Sequence, residues 1–386
     1  SITSITPSWG SHLNATEDNS VGAVTVVTSG IEDGQTVTVG LNGTNYTGSV
    51  SSNSVTVTIS ATDLQALSEG TNTITADVSD VAGNAATQSS TTFIYDKTAP
   101  SISSITPSWG SHLNATEDNS SGTITVVTSG VEDGQTVTVG LNGTNYTGSI
   151  SSNSVTMTIS ATDLQALSEG TNTITANVSD AAGNAASQSS TTFTYDKTSP
   201  SITSITPSWG SHLNATEDNS VGAVTVVTSG IEDGQTVTVG LNGTNYTGSV
   251  SNNSVTVTIS ATDLQALNEG TNTITADVSD VAGNAASQSS TTFVYDKTSP
   301  SISSITLSWG TVLNATEDNN NGTVTVATSG VEDGQTVTLG LNSRTYTGSV
   351  SSNSVSITIS ATRLQELVDG ITSVSYTHLT LPTMDS

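Results

Sequence analysis

The sequence of 386 residues contains no cysteine, so disulfide frameworks and thiolate metal sites are excluded. Basic residues are also scarce: five lysines and arginines stand against 33 aspartates and glutamates, and the formal net charge is -28. Such a chain is repelled by nucleic-acid phosphates and by anionic membrane surfaces, so we expect neither as a partner. Its acidity would instead attract divalent metal ions.

The sequence also lacks any run of about 18 apolar residues, so no segment predicts a helix inserted in a membrane. Because the chain opens at a repeat boundary, we expect it to be a piece of a longer protein.

One long repeat fills most of the chain. The segment SITSITPSWG at Ser1 returns with few changes at Ser101, Ser201 and Ser301, so the period is 100 residues. Solenoid repeats span about 20 to 50 residues, whereas a unit of this length can bury a core of its own. The repeat therefore predicts separate domains, with boundaries at 1–100, 101–200, 201–300 and, for a truncated fourth repeat, 301–373.

Within a repeat, the pattern predicts short strands. In the first repeat, the segment Gln35–Leu41 alternates apolar and polar residues, which is the period of a half-buried strand. The following Asn42-Gly43 predicts a hairpin turn. The one helical signal runs from Ser60 to Leu67, where Ser60 and Asp63 have capping-box spacing.

Seven short strands in 100 residues predict an all-β fold class, with tandem seven-stranded antiparallel Ig-like β-sandwiches arranged as an elongated rod. A polar loop is expected from Pro7 to Gly22. Without cysteines, we expect Phe93, Tyr95 and the valine and isoleucine ladders to supply each core.

The motifs LNATED, EDGQTVTVGLNG, ATDLQAL, SDVAGN and YDKTAP follow one another in the first repeat. In this order and spacing, over residues 1 to about 373, they resemble the bacterial Ig-like repeats of giant surface adhesins, such as biofilm-associated proteins and type I secreted adhesins. The resemblance implies a stalk segment at or outside the bacterial cell surface that supports adhesion or biofilm formation. It also implies calcium near the domain junctions, neighbouring modules as partners, and host or surface glycans bound by regions outside this segment.

The acidic motifs predict where calcium would bind. Loops of an Ig-type sandwich alternate between its two ends, so stacking two modules brings the linker acids of one against the turn acids of the next. Carboxylate, amide and carbonyl oxygens are the ligands that calcium takes. The candidate ligands are Glu17, Asp96, Asp133, Asp180 and Asn184 at the first junction, Glu117, Asp196, Asp233, Asp280 and Asn284 at the second, and Asp296, Asp80 and Asn84 at the outer positions.

Other interpretations of these residues stay open. Asp80, Gly83 and Asn84 are also good turn formers, and Asp96 could be a solvated linker residue. Trp9 and His12 in the first loop could form a glycan-binding surface repeated for avidity. Acidic modules could also associate between cells in a calcium-dependent, homotypic way. No GxSxG elbow accompanies the serines, histidines and aspartates, so we expect no enzymatic activity.

The end of the chain departs from the repeat. From Val374 it contains VSYTHLTLPT, where the last strands of the fourth repeat would be expected. This segment resembles a translated sequencing adaptor. We therefore expect residues 374–386 to be a non-native tail and the fourth repeat to lack two strands.

Overall fold

The computed structural model describes residues 1–368, 370, 372 and 374–379. Three complete modules follow one another, each with a three-stranded sheet and a five-stranded sheet, and a fourth module contains two three-stranded sheets. The chain is thus a tandem series of all-β sandwiches, as the sequence predicts. Among the described residues, no helix is long and apolar enough to cross a bilayer.

The first module defines the element order for the others. Its elements are β1 (Ile2–Pro7), β2 (His12–Leu13), a 3-10 turn (Glu17–Asn19), β3 (Gly22–Thr28), β4 (Thr36–Leu41), β5 (Thr44–Ser49), β6 (Ser54–Ile59), α1 (Ala61–Gln65), β7 (Gly70–Val78) and β8 (Ser89–Tyr95). The sheets have the orders β1-β3-β6 and β2-β8-β7-β4-β5.

The later modules repeat these elements. The second contains β9 (Ser101–Pro107), β10 (His112–Leu113), a 3-10 turn (Glu117–Asn119), β11 (Gly122–Ser129), β12 (Thr136–Leu141), β13 (Thr144–Ser149), β14 (Ser154–Ile159), α2 (Ala161–Gln165), β15 (Gly170–Asn177) and β16 (Ser189–Tyr195). The third contains β17 (Ser201–Pro207), β18 (His212–Asn214), a 3-10 turn (Glu217–Asn219), β19 (Gly222–Ser229), β20 (Thr236–Leu241), β21 (Thr244–Ser249), β22 (Ser254–Ile259), α3 (Ala261–Gln265), β23 (Gly270–Asp277) and β24 (Ser289–Asp296).

Each complete module has one strand more than the seven predicted. The extra strand, β2, lies inside the segment from Pro7 to Gly22 that was expected to be loop. It pairs in parallel with β8, with His12 beside Ile94, whereas the other neighbouring strands of the module are antiparallel. Two residues are too few to show a period of two, and their partner lies at the other end of the module's sequence, so no local pattern could predict this strand.

The local predictions of turn and helix are confirmed. Asn42 and Gly43 have φ values of 49° and 78°, as a two-residue hairpin turn requires. The helix α1 is capped by Ser60, whose hydroxyl accepts a hydrogen bond of 3.2 Å from the main-chain N–H of Asp63.

The core lies between the two sheets. Side chains that alternate along β3 and β4 are fully buried, and Phe93 and Tyr95 of β8 are 2% and 0% exposed. Trp9 closes this core at one edge, where its ring meets that of Phe93 edge to face at a centroid distance of 5.2 Å. Each of these large side chains contributes roughly 1.5–3 kcal/mol through the apolar area removed from water.

The fourth module is incomplete among the described residues. It contains β25 (Ser301–Leu307), β26 (Gly322–Ser329), β27 (Thr336–Leu341), β28 (Arg344–Ser349), β29 (Ser354–Ile359), α4 (Ala361–Leu364) and β30 (Val374–Leu379). The strand β30 begins opposite Leu341, in the register that β7 has opposite Leu41, so it occupies the position of β7. Within the described range no strand takes the positions of β2 and β8 in this module. Residues 380–386 of the expected tail lie outside the described residues.

Candidate functional site: the joint between modules

The end of the first module that faces the second carries a turn fixed by its own hydrogen bonds. Asn14 follows β2, and its Oδ1 accepts hydrogen bonds from the main-chain N–H groups of Thr16 (2.8 Å) and Glu17 (3.0 Å). Glu17 returns the contact, because its Oε2 accepts from the N–H of Asn14 at 3.1 Å. These bonds fix the amide of Asn14 so that its Nδ2 donates to the carbonyl of Ala182 in the second module at 2.9 Å.

The facing surface belongs to the turn between β15 and β16. Asp180 Oδ1 accepts from the main-chain N–H of Asn184 (2.8 Å), and Asp180 Oδ2 accepts from Asn184 Nδ2 (2.9 Å). Gly183 has a φ of 93° in this turn, a conformation that favours glycine. The turn is also held from the side, where Glu132 Oε2 accepts from the N–H of Ala181 at 2.8 Å.

Asn184 makes the central contact across the joint. Its Oδ1 accepts from the N–H of Ala15 (3.0 Å), and its Nδ2 donates to the carbonyl of Asp96 (2.9 Å). The joint has the same form between the second and third modules. Asn114 Nδ2 donates to the carbonyl of Ala282 at 2.9 Å. Asn284 Oδ1 accepts from the N–H of Ala115 (3.0 Å), and its Nδ2 donates to the carbonyl of Asp196 (2.9 Å).

The equivalent turn of the first module has the same local form, although no other module of the described chain covers it. In the first module, Asp80 accepts from both nitrogens of Asn84 at 2.8 Å, while Asn84 is exposed. In the second, Asp180 and Asn184 are only 3% and 7% exposed. The turn is therefore preformed, and joining buries it. Hydrogen bonds from Asn84 also hold the pKa of Asp80 below its ordinary value.

The linker between modules is fixed by a residue that the sequence analysis did not single out. Glu69 Oε1 accepts from the N–H of Lys97 (3.0 Å) and from the hydroxyl of Thr98 (2.9 Å). Asp96 Oδ1 accepts from the N–H of Thr98 at 2.9 Å, and Pro100 is buried. Nothing in the sequence marks Glu69. For Asn14, also missed, the Asn-x-x-Glu spacing to Glu17 is a capping signal that could have found it.

The third junction lacks this joint among the described residues. The positions equivalent to 180–184 lie outside the described part of the fourth module, whose last described strand ends at Leu379. Ala215 is exposed, whereas Ala15 and Ala115 are half-buried. The described chain therefore contains two complete joints.

The structure brings only part of the predicted calcium ligands together. The residues that meet are the carbonyl of Asp96 with Asp180 and Asn184, and the carbonyl of Asp196 with Asp280 and Asn284. The carboxylates of the others are engaged within their own module: Glu17 and Glu117 bond Asn14 and Asn114, Asp133 and Asp233 bond the N–H groups of Ser152 and Asn252, Asp296 bonds that of Thr298, and Asp80 bonds Asn84. Across the described residues, no three histidine, aspartate or glutamate side chains converge.

The donor atoms at the joint are nevertheless of the type that calcium binds. Its donors are all oxygens: the carboxylate of Asp180, the amide of Asn184 and the carbonyls of Asp96 and Ala182. Asp180 is a buried carboxylate. The ion pairs found among the described residues, Arg344–Glu366 and Arg363–Glu366, lie in the fourth module and not at this joint. Calcium takes six to eight oxygens, so carbonyls or water would have to complete this set.

The tryptophans of the three complete modules lie in the core instead of on a ligand-binding surface. Trp9, Trp109 and Trp209 are 8%, 8% and 9% exposed, and each packs edge to face on a phenylalanine at 5.2 Å. A buried indole ring has no free face on which a sugar could stack. The alternative of a tryptophan-lined glycan surface therefore loses its main residue.

The sandwich and its joints define a tandem array of Ig-like modules. Residues 55–118 and 156–262 match the family of the bacterial Ig-like domain (group 3). The matched segments are bacterial Ig-like domain sequence, which confirms the resemblance seen in the motifs. Domains of this kind are non-enzymatic.

Several solved structures are similar to the chain. One is described as a "Ca2+-stabilized adhesin" that helps an Antarctic bacterium reach out and bind ice (24% identity, 97% of this chain and 98% of that chain, TM-score 0.39). Another concerns host cell surface retention of a 1.5-MDa bacterial ice-binding adhesin (26%, 76% and 97%, TM-score 0.41). A third is a bacterial immunoglobulin-like domain from the M. primoryensis ice-binding adhesin (30%, 24% and 96%, TM-score 0.21). No curated protein matches the chain.

Proposed function

We propose that this chain is an extender segment of a bacterial surface adhesin, a stalk located outside the cell that supports adhesion or biofilm formation. The observation that carries the proposal is the recurrence of one joint. The Asn184 contacts with Ala15 and Asp96 return at Asn284 with the same distances. A joint repeated without change sets one relative orientation of neighbouring modules, which is what an extender requires.

The joint supports this function because it restrains the linker from both sides. Glu69 holds Lys97 and Thr98 to the first module, and Asn184 holds the carbonyl of Asp96 to the second. A linker without such contacts would allow the modules to pivot, as is usual between domains with small interfaces. With strands of six to nine residues at about 3.3 Å per residue, plus loops, each module would add on the order of 40 Å of length.

We infer in addition that calcium strengthens the joint. The ion would be held by the Asp180 carboxylate and by neighbouring amide and carbonyl oxygens, and would neutralise a carboxylate that is 3% exposed. The equivalent site at the second joint would use Asp280. This proposal rests on the oxygen donors present and is separate from the extender function, which the hydrogen bonds support by themselves.

Small-angle X-ray scattering and thermal melting of the full chain, first with calcium and then with a chelator, test both proposals. An extender should show a maximum dimension of at least roughly 120 Å for its three complete modules, at about 40 Å each. A clearly shorter, broadly distributed dimension in both conditions would contradict the extender. An unchanged dimension and an unchanged Tm on chelation would contradict only the calcium site.

Two further measurements address the alternative functions. In a glycan array, an extender should bind no sugar saturably, because Trp9, Trp109 and Trp209 of the complete modules are buried. In sedimentation velocity, it should remain monomeric with and without calcium, because the charge of -28 opposes association. Association that appears only with calcium would favour the homotypic alternative.

A further inference from the structure

The contact between β2 and β8 is the one parallel strand pair in each of the three complete modules, all of whose residues the structure describes. It joins the start of a module to its end. The N–H of Ile94 donates to the carbonyl of Ser11 at 2.9 Å, and the N–H of Asp96 donates to the carbonyl of Leu13 at 3.0 Å. Leu13 and Tyr95 are 0% exposed, so one side of this contact faces the core, while Ile94 on the other side is 42% exposed.

A buried side-chain hydrogen bond crosses the same contact. The hydroxyl of Tyr95 on β8 donates to Oδ2 of Asp18, in the turn that follows β2, at 2.6 Å. Asp18 is only 5% exposed. The bond has the same length at Tyr195 and Tyr295. A hydrogen bond to a carboxylate is stronger than one between neutral groups, and this one adds a third link between the two ends of the module.

The direction of the strands decides how this contact carries tension. In a stalk, the preceding module pulls the chain ahead of β2 and the following module pulls the chain after β8. Because β2 and β8 run in the same direction, these two pulls slide them past each other, and every bond between them is loaded at once. An antiparallel hairpin such as β4–β5 lies outside this path, since the tension enters and leaves the module elsewhere.

We propose that the contact formed by Ser11–Leu13 and Asp18 with 94–96 is the force-bearing clamp of each module. This inference rests on the proposed extender function, which supplies the tension. Detaching β1 alone releases only the few residues ahead of Ser11, whereas breaking the clamp opens the module. The clamp is equivalent in the second and third modules, where His112 and His212 pair with 194 and 294.

The fourth module provides an internal comparison. In the part of the chain that the structure describes, it has neither a partner strand for residues 312–313 nor a strand equivalent to β8. Under the clamp proposal it yields at low force, before the three complete modules.

Single-molecule force spectroscopy of the full chain tests the clamp, with the molecule held through cysteines added at its two ends, since it has none of its own. The wild type should show three ruptures of high force. Each should release about 300 Å of chain, because the roughly 80 residues between Leu13 and Tyr95 extend by up to about 3.6 Å each.

The decisive variant is Thr194→Pro. It removes the N–H that donates to the carbonyl of Ser111 at 2.9 Å. It should spare the bonds between β15 and β16, because successive residues of a strand direct their N–H groups to opposite sides. One of the three ruptures should fall to about half its force or less, since forced unfolding follows the unfolding rate, while the other two stay unchanged. Tyr195→Phe, which removes the bond to Asp118, should lower the same rupture and serves if the proline variant fails to fold.

The matched control is Ile159→Ala in the same module. Ile159 is 0% exposed and lies on β14, outside the clamp, so its loss should lower the Tm without a comparable loss of rupture force. The clamp proposal is overturned if both clamp variants leave three ruptures at wild-type force, or if Ile159→Ala lowers one as much as they do. Scattering distinguishes the two proposals: a short, flexible chain that keeps its three clamp-dependent ruptures contradicts the extender and leaves the clamp intact.

Discussion

The side-chain amide of Asn184 donates a hydrogen bond of 2.9 Å to the main-chain carbonyl of Asp96, which lies 88 residues earlier in the preceding module. The same side chain accepts from the N–H of Ala15 at 3.0 Å. It therefore contacts its neighbour at two separate segments, the turn after β2 and the start of the linker. Two separated points of contact oppose pivoting about the linker, which a single contact would permit.

The first prediction concerns the linker anchor. Replacing Glu169 by alanine should free the segment around Lys197, because the carboxylate that accepts from Lys197 N–H (3.1 Å) and from the Thr198 hydroxyl (2.9 Å) is lost. Limited digestion with trypsin then cleaves faster after Lys197, while Lys97, which lies at the other complete joint and keeps its anchor Glu69, is the control in the same molecule. Equal cleavage after Lys97 and Lys197 would show that the glutamate does not restrain the linker.

A second prediction concerns acid. The hydroxyl of Thr98 and the N–H of Lys97 lower the pKa of Glu69, and the equivalent bonds from Lys197 and Thr198 lower that of Glu169. A lowered pKa in the folded state means that the anchor stabilises the linker above the ordinary value of 4.5 and loses its effect as the pH falls through the folded value. Carboxyl titration by NMR should place both midpoints below 4.5. Midpoints at or above that value would contradict the hydrogen bonds.

The sequence predicts the fold more completely than it predicts the joint. The alternation in Gln35–Leu41 and the Asn42-Gly43 pair act locally, so period and turn chemistry were sufficient to predict the sandwich. The end-to-end meeting of Asp96 and Asn184 also follows from loop alternation. The contribution of Glu69 could not be predicted, because its partners lie 28 and 29 residues later in the linker.

The prediction of a calcium cluster at each junction overestimated how many acids converge. The reason is visible at Glu17 and Asp133, whose carboxylates accept main-chain N–H groups within their own modules. A single sequence does not reveal whether an acidic side chain faces its neighbour or completes its own turn, since both uses favour the same residue types.

A third prediction tests the position of the tryptophan. A Cβ on Gly22 would lie 2.5 Å from Cζ3 of Trp9, so Gly22→Ala should overpack the core and lower the free energy of unfolding by about 1–3 kcal/mol. Urea denaturation measures the change. Val21→Ala is the matched control, because Val21 is 68% exposed and its truncation should change the free energy by less than about 0.5 kcal/mol. A neutral Gly22→Ala would mean that the indole ring does not lie against β3.

A fourth prediction concerns alkali. Burial, and then the hydrogen bond to Asp218, raise the pKa of Tyr295 to about 12 from an ordinary value of 10.0. A raised pKa means that the stabilisation is complete below the unfolded value and is lost as the pH rises through the folded one. Burial also raises the pKa values of Tyr46, Tyr146 and Tyr246, so ultraviolet titration of the phenolate should show these three ionising late together with Tyr95, Tyr195 and Tyr295. Tyr295→Phe should remove one of the late-ionising group. Ionisation of all eight tyrosines near pH 10 would contradict the buried pair.

The most direct test of the joint is the distance between two modules, measured by double electron-electron resonance. Spin labels at Thr58→Cys and Thr158→Cys, both at exposed positions, would report on the first and second modules in a chain that has no other cysteine. We predict one narrow distance distribution in the otherwise wild-type chain. Asn184→Ala should broaden it, because the bonds to Ala15 and Asp96 are lost, whereas Asn84→Ala, which removes the same local turn contacts but no joint within this chain, should leave it narrow. A distribution that is broad from the start, or that is unchanged by Asn184→Ala, would contradict a joint held by this residue.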